Sequence, residues 1–353
     1  MSQKSTDGPL RICLGFPPFA DEKYLERLAA LDGVEAKVLP INPGANWAVE
    51  PANDPYPEPP PWADSVAAER EAILAESHVI AALHAPDRLA ERAPNLRWIQ
   101  GAGAGVEQFS TAGVDQDRVV LTNCSGVSAG SMSEWVLGRL LQVWKRFREA
   151  DEFQTGHRFE RSYGKTFAGS TIGIVGLGGI GKAVAVRARA MGCRTLGLKR
   201  SAKPGDTSED VDELFSTDRL HELLAQSDAV VVSAPATAET HHMINAAALA
   251  AMPRHAVLVN VARGTLVDQA ELIRVMQSED PLAAAVLDVF DPEPLEASSP
   301  LWDIPNVYIS AHSSVSVDRY MDDVFDFFYA NLQRYLAGQD LENVVDMKSL
   351  GFE

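Results

Sequence analysis

Short runs of Val, Ile and Leu recur along the chain, separated by stretches whose apolar residues fall every three or four positions. The runs read as strands buried on both faces, and the stretches between them as helices covering a parallel sheet. Before residue 125 the expected strands are RICLGF (11–16), EAKVLP (35–40), HVIAAL (78–83), LRWIQ (96–100) and VVLTN (119–123), with helical stretches such as DEKYLERLAAL between them. A second set is clearer: TIGIVGLG (171–178), CRTLGLK (193–199), DAVVVSAP (228–235), AVLVNVA (256–262), AAAVLDVF (283–290) and NVYISAH (306–312). The pattern is that of an α/β protein with two doubly wound parallel sheets.

Between the two sets runs one long amphipathic stretch, Ser128 to Gln154, with no Gly or Pro after Gly138. It predicts a single linker helix leading from one domain into the next. A last amphipathic stretch, Asp318 to Leu336, has no strand after it and can pack back on the first domain. The organisation expected is therefore a split domain, 1–124 plus 313–353, interrupted by an inserted domain, 125–312. Residues 42–62, NPGANWAVEPANDPYPEPPPW, are rich in proline and acid and read as an extended surface loop.

Composition narrows the partners. The formal charge of -18 disfavours nucleic acid and anionic membranes, which need clustered cations. No segment approaches the roughly 20 apolar residues of a membrane span, and the N-terminus lacks an apolar run behind a basic start. Cys13, Cys124 and Cys193 show no paired or metal-type spacing, so a reducing cytoplasm is the expected setting. None of the eight histidines forms a ligand pattern with them, so no metal is expected.

The candidate chemistry starts at IVGLGGIGKAVA, which places Gly176, Gly178 and Gly181 between a strand and an apolar helix. The first glycine permits the tight turn, the second lets backbone approach a pyrophosphate, and the third lets helix and strand pack closely. Phosphates then sit at the positive end of the helix dipole. With five more strands following, the turn predicts a Rossmann dinucleotide-binding domain. The next strand ends in Lys199, Arg200 and Ser201, where an NAD site wants a carboxylate for the ribose hydroxyls. Two cations and a hydroxyl suit a 2′-phosphate, so NADP is the expected cofactor, with NAD possible. Gly179 and Ile180 in the turn, and Pro235 and Val261 at the ends of later strands, complete the expected cofactor set.

Three other strand ends carry reactive side chains. Arg263 follows the fourth strand of the second set, Asp288 ends the fifth with Glu293 in the loop beyond it, and His312 ends the sixth. Any one alone reads equally well as a surface ion pair or a loop residue. All three ends above one cofactor site point to catalysis. By contrast His241 and His242, in ETHHMIN, are expected to be structural.

At these residues the chain resembles the D-isomer-specific 2-hydroxyacid dehydrogenase family. The likeness spans about Leu96 to Ser314 and rests on LRWIQGAGAGVEQF, IVGLGGIGKAVA, NVARGTLVD, LDVFDPEPL and AHSS. It implies a split flavodoxin-like substrate domain, with the family's catalytic trio falling on Arg263, Glu293 and His312. It places the nicotinamide-carboxamide acceptor at Asp288, and a substrate-carboxylate loop of backbone amides at Ala104 and Gly105. The implied partner is a small 2-keto or 2-hydroxy acid.

The residue chemistry agrees with that implication. Reducing a ketone needs a hydride from the cofactor and a proton for the oxygen. Histidine donates protons near neutral pH. A paired Glu293 would favour the imidazolium, while Arg263 can hold a carboxylate and polarise a carbonyl at once. The family also contains formate dehydrogenases, which pair the histidine with glutamine, and corepressors that use the fold as a cofactor-sensing scaffold. Glu293 speaks against the first, and no added interaction tail is visible for the second.

Departures from the family pattern are Ala311 in place of a proline and Trp135 where histidine is frequent. Trp135 and Trp302 are expected either to shape the pocket or, more simply, to pack in the core. The helix over 128–154 carries Trp135, Leu137, Leu140, Leu141, Val143 and Trp144, more apolar surface than a domain junction needs, which predicts a homodimer.

Overall fold

The computed structural model describes residues 8–40, 64–85, 88–110, 112–115, 117–203, 205–316 and 318–347; the proline-rich segment 42–62 lies outside them. In chain order the elements are β1 (Leu10–Leu14), α1 (Glu22–Ala29), β2 (Val34–Val38), α2 (Asp64–Glu76), β3 (Val79–Ala82), α3 (Leu89–Arg92), β4 (Trp98–Gly101) and β5 (Val120–Thr122). Then come α4 (Ala129–Trp144), α5 (Phe147–Thr155), β6 (Thr171–Val175), α6 (Gly179–Ala190), β7 (Arg194–Leu198), β8 (Glu213–Phe215) and α7 (Leu220–Ala225). The chain continues through β9 (Ala229–Val232), α8 (Ala246–Ala251), β10 (Val257–Asn260), α9 (Gln269–Met276), β11 (Ala284–Leu287), β12 (Val307–Ile309) and α10 (Tyr320–Leu336). It divides into two units, Met1–Val127 with Val317–Glu353, and Ser128–Ser316.

In the first unit, five described strands form a parallel sheet in the order β2-β1-β3-β4-β5, the flavodoxin-like winding. β3 and β4 are buried at every position, as strands covered on both faces must be. The returning helix α10 buries Val324, Phe325, Phe328 and Leu332 in the same core as Phe19, Tyr24 and Trp98. Beyond it, Val345 donates its N–H to the Leu121 carbonyl at 2.8 Å, so the C-terminal segment closes on β5.

The second unit carries a seven-stranded parallel sheet in the order β12-β11-β10-β9-β6-β7-β8. Successive residues of each central strand enter opposite cores. Val230, Val232, Leu258, Ala285 and Leu287 face one, and Ala229, Val231, Val257, Val259, Ala284 and Val286 face the other. That alternation is the period of two expected of a strand. β6 pairs with both β7 and β9, so the chain reverses its direction of growth beside the first strand, the place where such sheets bind ligands.

Two expectations need correction. The second sheet has seven strands rather than six: β8 is three residues long, ELF, and only Phe215 is buried, so no apolar run announces it. The stretch from Ser128 to Gln154 is two helices, not one. Arg146 takes φ 57°, and the Trp144 carbonyl, which a continuous helix would bond four residues on, accepts the Lys165 N–H at 2.7 Å instead. The crossing segment approaches so closely that Gly164 leaves no room for a Cβ against the Trp144 carbonyl.

The apolar stripe of α4 also has a use within its own unit. Val136, Leu137, Leu140 and Trp144 are buried with Val184, Ala185 and Ala188 of α6. Apolar side chains left open to solvent lie just beyond it: Phe147 at 51%, Phe159 at 103% and Tyr163 at 77% exposure.

Candidate active site

The glycine turn after β6 has the shape its sequence requires. Gly176 has φ +103°, and a Cβ there would lie 2.6 Å from the backbone of Ala234. At Gly181 a Cβ would overlap the Gly176 carbonyl, so helix α6 can close on the turn only without a side chain. Gly178 is different: it is exposed, and a Cβ there would meet nothing within 4 Å. The space above Gly178, at the N-terminus of a 12-residue helix with no acidic residue in its first turn, suits a phosphate-bearing cofactor. Gly179 is exposed and Ile180 half-buried beside it.

Lys199, Arg200 and Ser201 follow β7 and are exposed. Among the described residues neither cation has an ion-pair partner. Glu239, on the loop after β9, lies in the field of Arg200; a hydrogen bond with Thr237 and then that field hold its carboxyl below the usual range. Of the remaining cofactor residues, Pro235 is exposed and its carbonyl accepts from the Thr240 hydroxyl at 2.7 Å, while Val261 is buried and extends the pairing of β10 to the Val232 carbonyl.

Arg263 stands on the turn after β10. Asn260, 1% exposed, ties that turn together: its amide donates to the Arg263 carbonyl at 2.9 Å and its carbonyl accepts from Ala262 N–H at 3.1 Å. The next residue, Gly264, packs so tightly on Phe290 and Asp291 that a Cβ would coincide with the Phe290 carbonyl. This contact brings the Arg263 turn against the loop that leads to Glu293. Neither Asn260 nor Gly264 was singled out from sequence, although NVARGTLVD contains both.

Asp288 ends in a fully buried position beyond β11 and holds the segment that follows β12. Its carboxylate accepts from the Ser310 hydroxyl at 2.6 Å, Ser313 N–H at 2.9 Å and Ser314 N–H at 3.2 Å. Its own carbonyl accepts the His312 N–H at 2.8 Å. These bonds pin both sides of His312, which takes φ 48°, in the left-handed region that few non-glycine residues occupy.

So held, His312 places Nδ1 2.6 Å from Glu293 Oε1. Glu293 Oε2 accepts from Phe290 N–H at 3.3 Å, which orients the carboxylate. The hydrogen bond to Glu293 holds the His312 pKa above its usual value, against burial and the Arg263 charge, which act the other way. Burial works to raise Glu293, but the bond and charge of His312, the Phe290 N–H and Arg263 outweigh it and leave the carboxyl below its usual range. Both pKa directions favour an imidazolium–carboxylate pair. Nδ1 is committed to Glu293, and Nε2 has no partner among the described residues. The side chain is 53% exposed, so Nε2 is available to a reactant.

The expected carboxylate loop lies in the first unit. Ala104 is exposed and Gly105 half-buried. Among the described residues, no acceptor takes the N–H groups of Gly103, Ala104, Gly105 or Val106.

The other residues noted in the sequence make local contacts. His241 and His242 stack at 4.0 Å, and His242 N–H donates to Thr265 two residues beyond Arg263. Trp135 packs partly buried under the Arg139 guanidinium, 5.0 Å from its ring centre. Trp302 is half exposed and donates Nε1–H to the Glu296 carbonyl at 2.9 Å.

Comparison with known proteins decides the family. Residues 137–314 match the profile of the D-isomer specific 2-hydroxyacid dehydrogenase, NAD binding domain. The chain belongs to that family. The glyoxylate reductase of Thermococcus onnurineus is 32% identical over 316 residues, covering 83% of this chain and 92% of the relative. A D-isomer specific 2-hydroxyacid dehydrogenase family protein from Aeromonas salmonicida has a TM-score of 0.78 at 29% identity, covering 96% of this chain and 99% of its own. An NADPH-dependent glyoxylate/hydroxypyruvate reductase from Sinorhizobium meliloti, solved with NADP and sulfate, has a TM-score of 0.75 at 27% identity, covering 97% and 99%. This 2-hydroxyacid dehydrogenase is thus an NAD(P)-dependent oxidoreductase acting on CH–OH groups. Among its described residues, no helix is long and apolar enough to cross a membrane.

Proposed function

We propose that this dehydrogenase reduces a small 2-keto acid to its D-2-hydroxy acid with NADPH, in the cytoplasm. The observation that carries the proposal is the His312–Glu293 pair at 2.6 Å, with Nε2 without a partner among the described residues and Arg263 close enough to perturb both groups.

In this reading the first unit supplies the carboxylate-binding amides of Ala104 and Gly105, and the second holds the cofactor. Gly176, Gly178, Gly179, Ile180 and Gly181 would hold the pyrophosphate, with Pro235 and Val261 along the cofactor and Asp288 at the carboxamide. The cofactor, when bound, supplies the hydride. Arg263 binds the substrate carboxylate and polarises the carbonyl, so it acts on both binding and the rising charge on oxygen. His312 holds the proton at Nε2 and delivers it to that oxygen, while Glu293 keeps the ring protonated and oriented.

Preference for NADPH is supported by Lys199, Arg200 and Ser201, two cations without an ion-pair partner among the described residues and a hydroxyl, where a carboxylate would favour NAD. The name of the Sinorhizobium meliloti neighbour, an NADPH-dependent reductase, agrees with it. The glyoxylate reductase names among the relatives support a short substrate. Turnover assays with glyoxylate, hydroxypyruvate and phenylpyruvate, each with NADPH and NADH, test the proposal. At least one should be reduced to the D-hydroxy acid; no turnover with any pair would contradict it.

We also propose a two-fold homodimer. Its support is the exposed Phe147, Phe159 and Tyr163 together with the half-buried Trp135, Leu141 and Val143 of α4, whereas Leu137, Leu140 and Trp144 are buried within their own unit. Light scattering should give about twice the 38.2 kDa chain mass, and a stable monomer at micromolar concentration would contradict the assignment.

A further inference from the structure

The loop after β4 has its carbonyls tied down one after another. The Gly101 carbonyl accepts from Gln100 Nε2 at 2.9 Å and from the Cys124 thiol at 3.3 Å. The Ala102 carbonyl accepts from the Tyr320 hydroxyl at 3.2 Å, and the Gly103 carbonyl from Cys124 N–H at 2.8 Å. Asn123 Nδ2 donates to the Ala104 carbonyl at 2.7 Å. Gln108 Nε2 donates to the Gly105 carbonyl at 3.2 Å and to the Leu83 carbonyl at 2.8 Å.

A peptide unit is planar, with its C=O and the following N–H pointing opposite ways. Fixing the Gly103 carbonyl therefore fixes the direction of Ala104 N–H. Fixing the Ala104 carbonyl aims Gly105 N–H, and fixing the Gly105 carbonyl aims Val106 N–H. No described acceptor takes any of these three amides. Successive free N–H groups on a restrained turn form a concave site for an anion.

From this arrangement we infer that Asn123 and Gln108 are positioning residues for substrate binding: they aim the Gly105 and Val106 amides, together with Ala104, at the substrate carboxylate. The inference rests on the proposed reading of this loop, and extends it to a third amide and two side chains. Neither side chain touches substrate; each acts by removing the rotational freedom of a peptide plane, so the amides need no reordering when the anion arrives.

The test compares wild type with Gln108→Met, which keeps length but cannot donate, and Asn123→Ala. Oxalate binding is measured by titration of the NADPH-loaded protein, beside KM and kcat for glyoxylate, the Kd for NADPH and the Tm. Each variant should weaken oxalate about tenfold and raise KM by a similar factor, the scale of a misaimed charge-assisted hydrogen bond. The kcat should stay within about threefold and NADPH binding should not move. Should Asn123→Ala fail to fold, Gln108→Met decides alone, because its described bonds outside the loop are limited to the Leu83 carbonyl.

Variants that bind oxalate and glyoxylate as wild type does would overturn the inference and leave the proposed function standing. A fall in kcat and NADPH affinity along with oxalate would also overturn it, since that is the signature of general disruption. A wild type that neither binds oxalate nor reduces glyoxylate would contradict both the proposed function and the inference.

Discussion

Replacing His312 with alanine is expected to lower kcat for 2-keto acid reduction by about a hundredfold or more, the usual size of a lost general acid. The proton must reach the substrate oxygen as the hydride adds to carbon, and His312 is the acid whose free nitrogen is paired at its other end with a carboxylate, 2.6 Å away. Water can protonate the product in the variant, so a residual rate remains. Cofactor affinity should change little, because the bonds that seat residues 310–314 run from Asp288 to backbone groups and to Ser310, not to the imidazole. Measured across pH 6–9, near-normal turnover in His312→Ala would mean that another group donates the proton.

Arg200→Ala is expected to reduce kcat/KM with NADPH by about tenfold to a hundredfold and to leave NADH nearly unchanged. A charge-assisted contact to phosphate contributes roughly 1.5–3 kcal/mol. Arg200 is exposed, and Glu239 already lies in its field, so screening moves the expected effect toward the tenfold end. The loss should shrink as salt rises, because the wild-type contact is screened while the variant has none to lose. Kinetics with both cofactors at low and high salt provide the check; equal efficiency of NADPH and NADH in wild type would remove the 2′-phosphate assignment.

The sequence pattern locates every strand of the first described sheet, in β1, β3 and β4 because strands covered on both faces are mostly apolar; β2, at the sheet edge, is largely exposed and carries Glu35 and Lys37. It misses β8, where a three-residue edge strand with one buried side chain carries almost no periodic signal. It also misses the break between α4 and α5. No Gly or Pro marks that break, which is imposed by the Gly164–Lys165 segment competing for a helix carbonyl, a contact invisible to any local window.

The same distinction holds at the site. Arg263, Glu293 and His312 stand out because their chemistry is rare at strand ends. The groups that hold the candidate residues in place are legible only afterwards. Asn260 and Gly264 look like ordinary turn residues until Asn260 is seen bonded to the Arg263 carbonyl and Gly264 pressed on Phe290. Gln108 and Asn123 are polar residues near a glycine loop, and only the hydrogen bonds reveal which carbonyls they restrain. Asp288 is expected at the carboxamide, yet each bond found for its carboxylate runs to Ser310, Ser313 or Ser314, tying it to the segment that carries His312.

The central claim is that a carboxylate-raised His312 delivers the proton, and the pH profile of Glu293→Gln tests it most directly. The His312 pKa is raised in the protein, chiefly by the hydrogen bond to Glu293. The protonated form active in reduction therefore persists above the usual histidine range, and activity falls as pH climbs through the raised value. Glutamine keeps a hydrogen-bonding partner but removes the charge that favours the imidazolium. The account predicts that the falling limb of kcat/KM for reduction moves to lower pH in Glu293→Gln, while the limb for oxidation, which needs neutral His312, moves the same way. Limbs that stay in place in both directions would contradict the account.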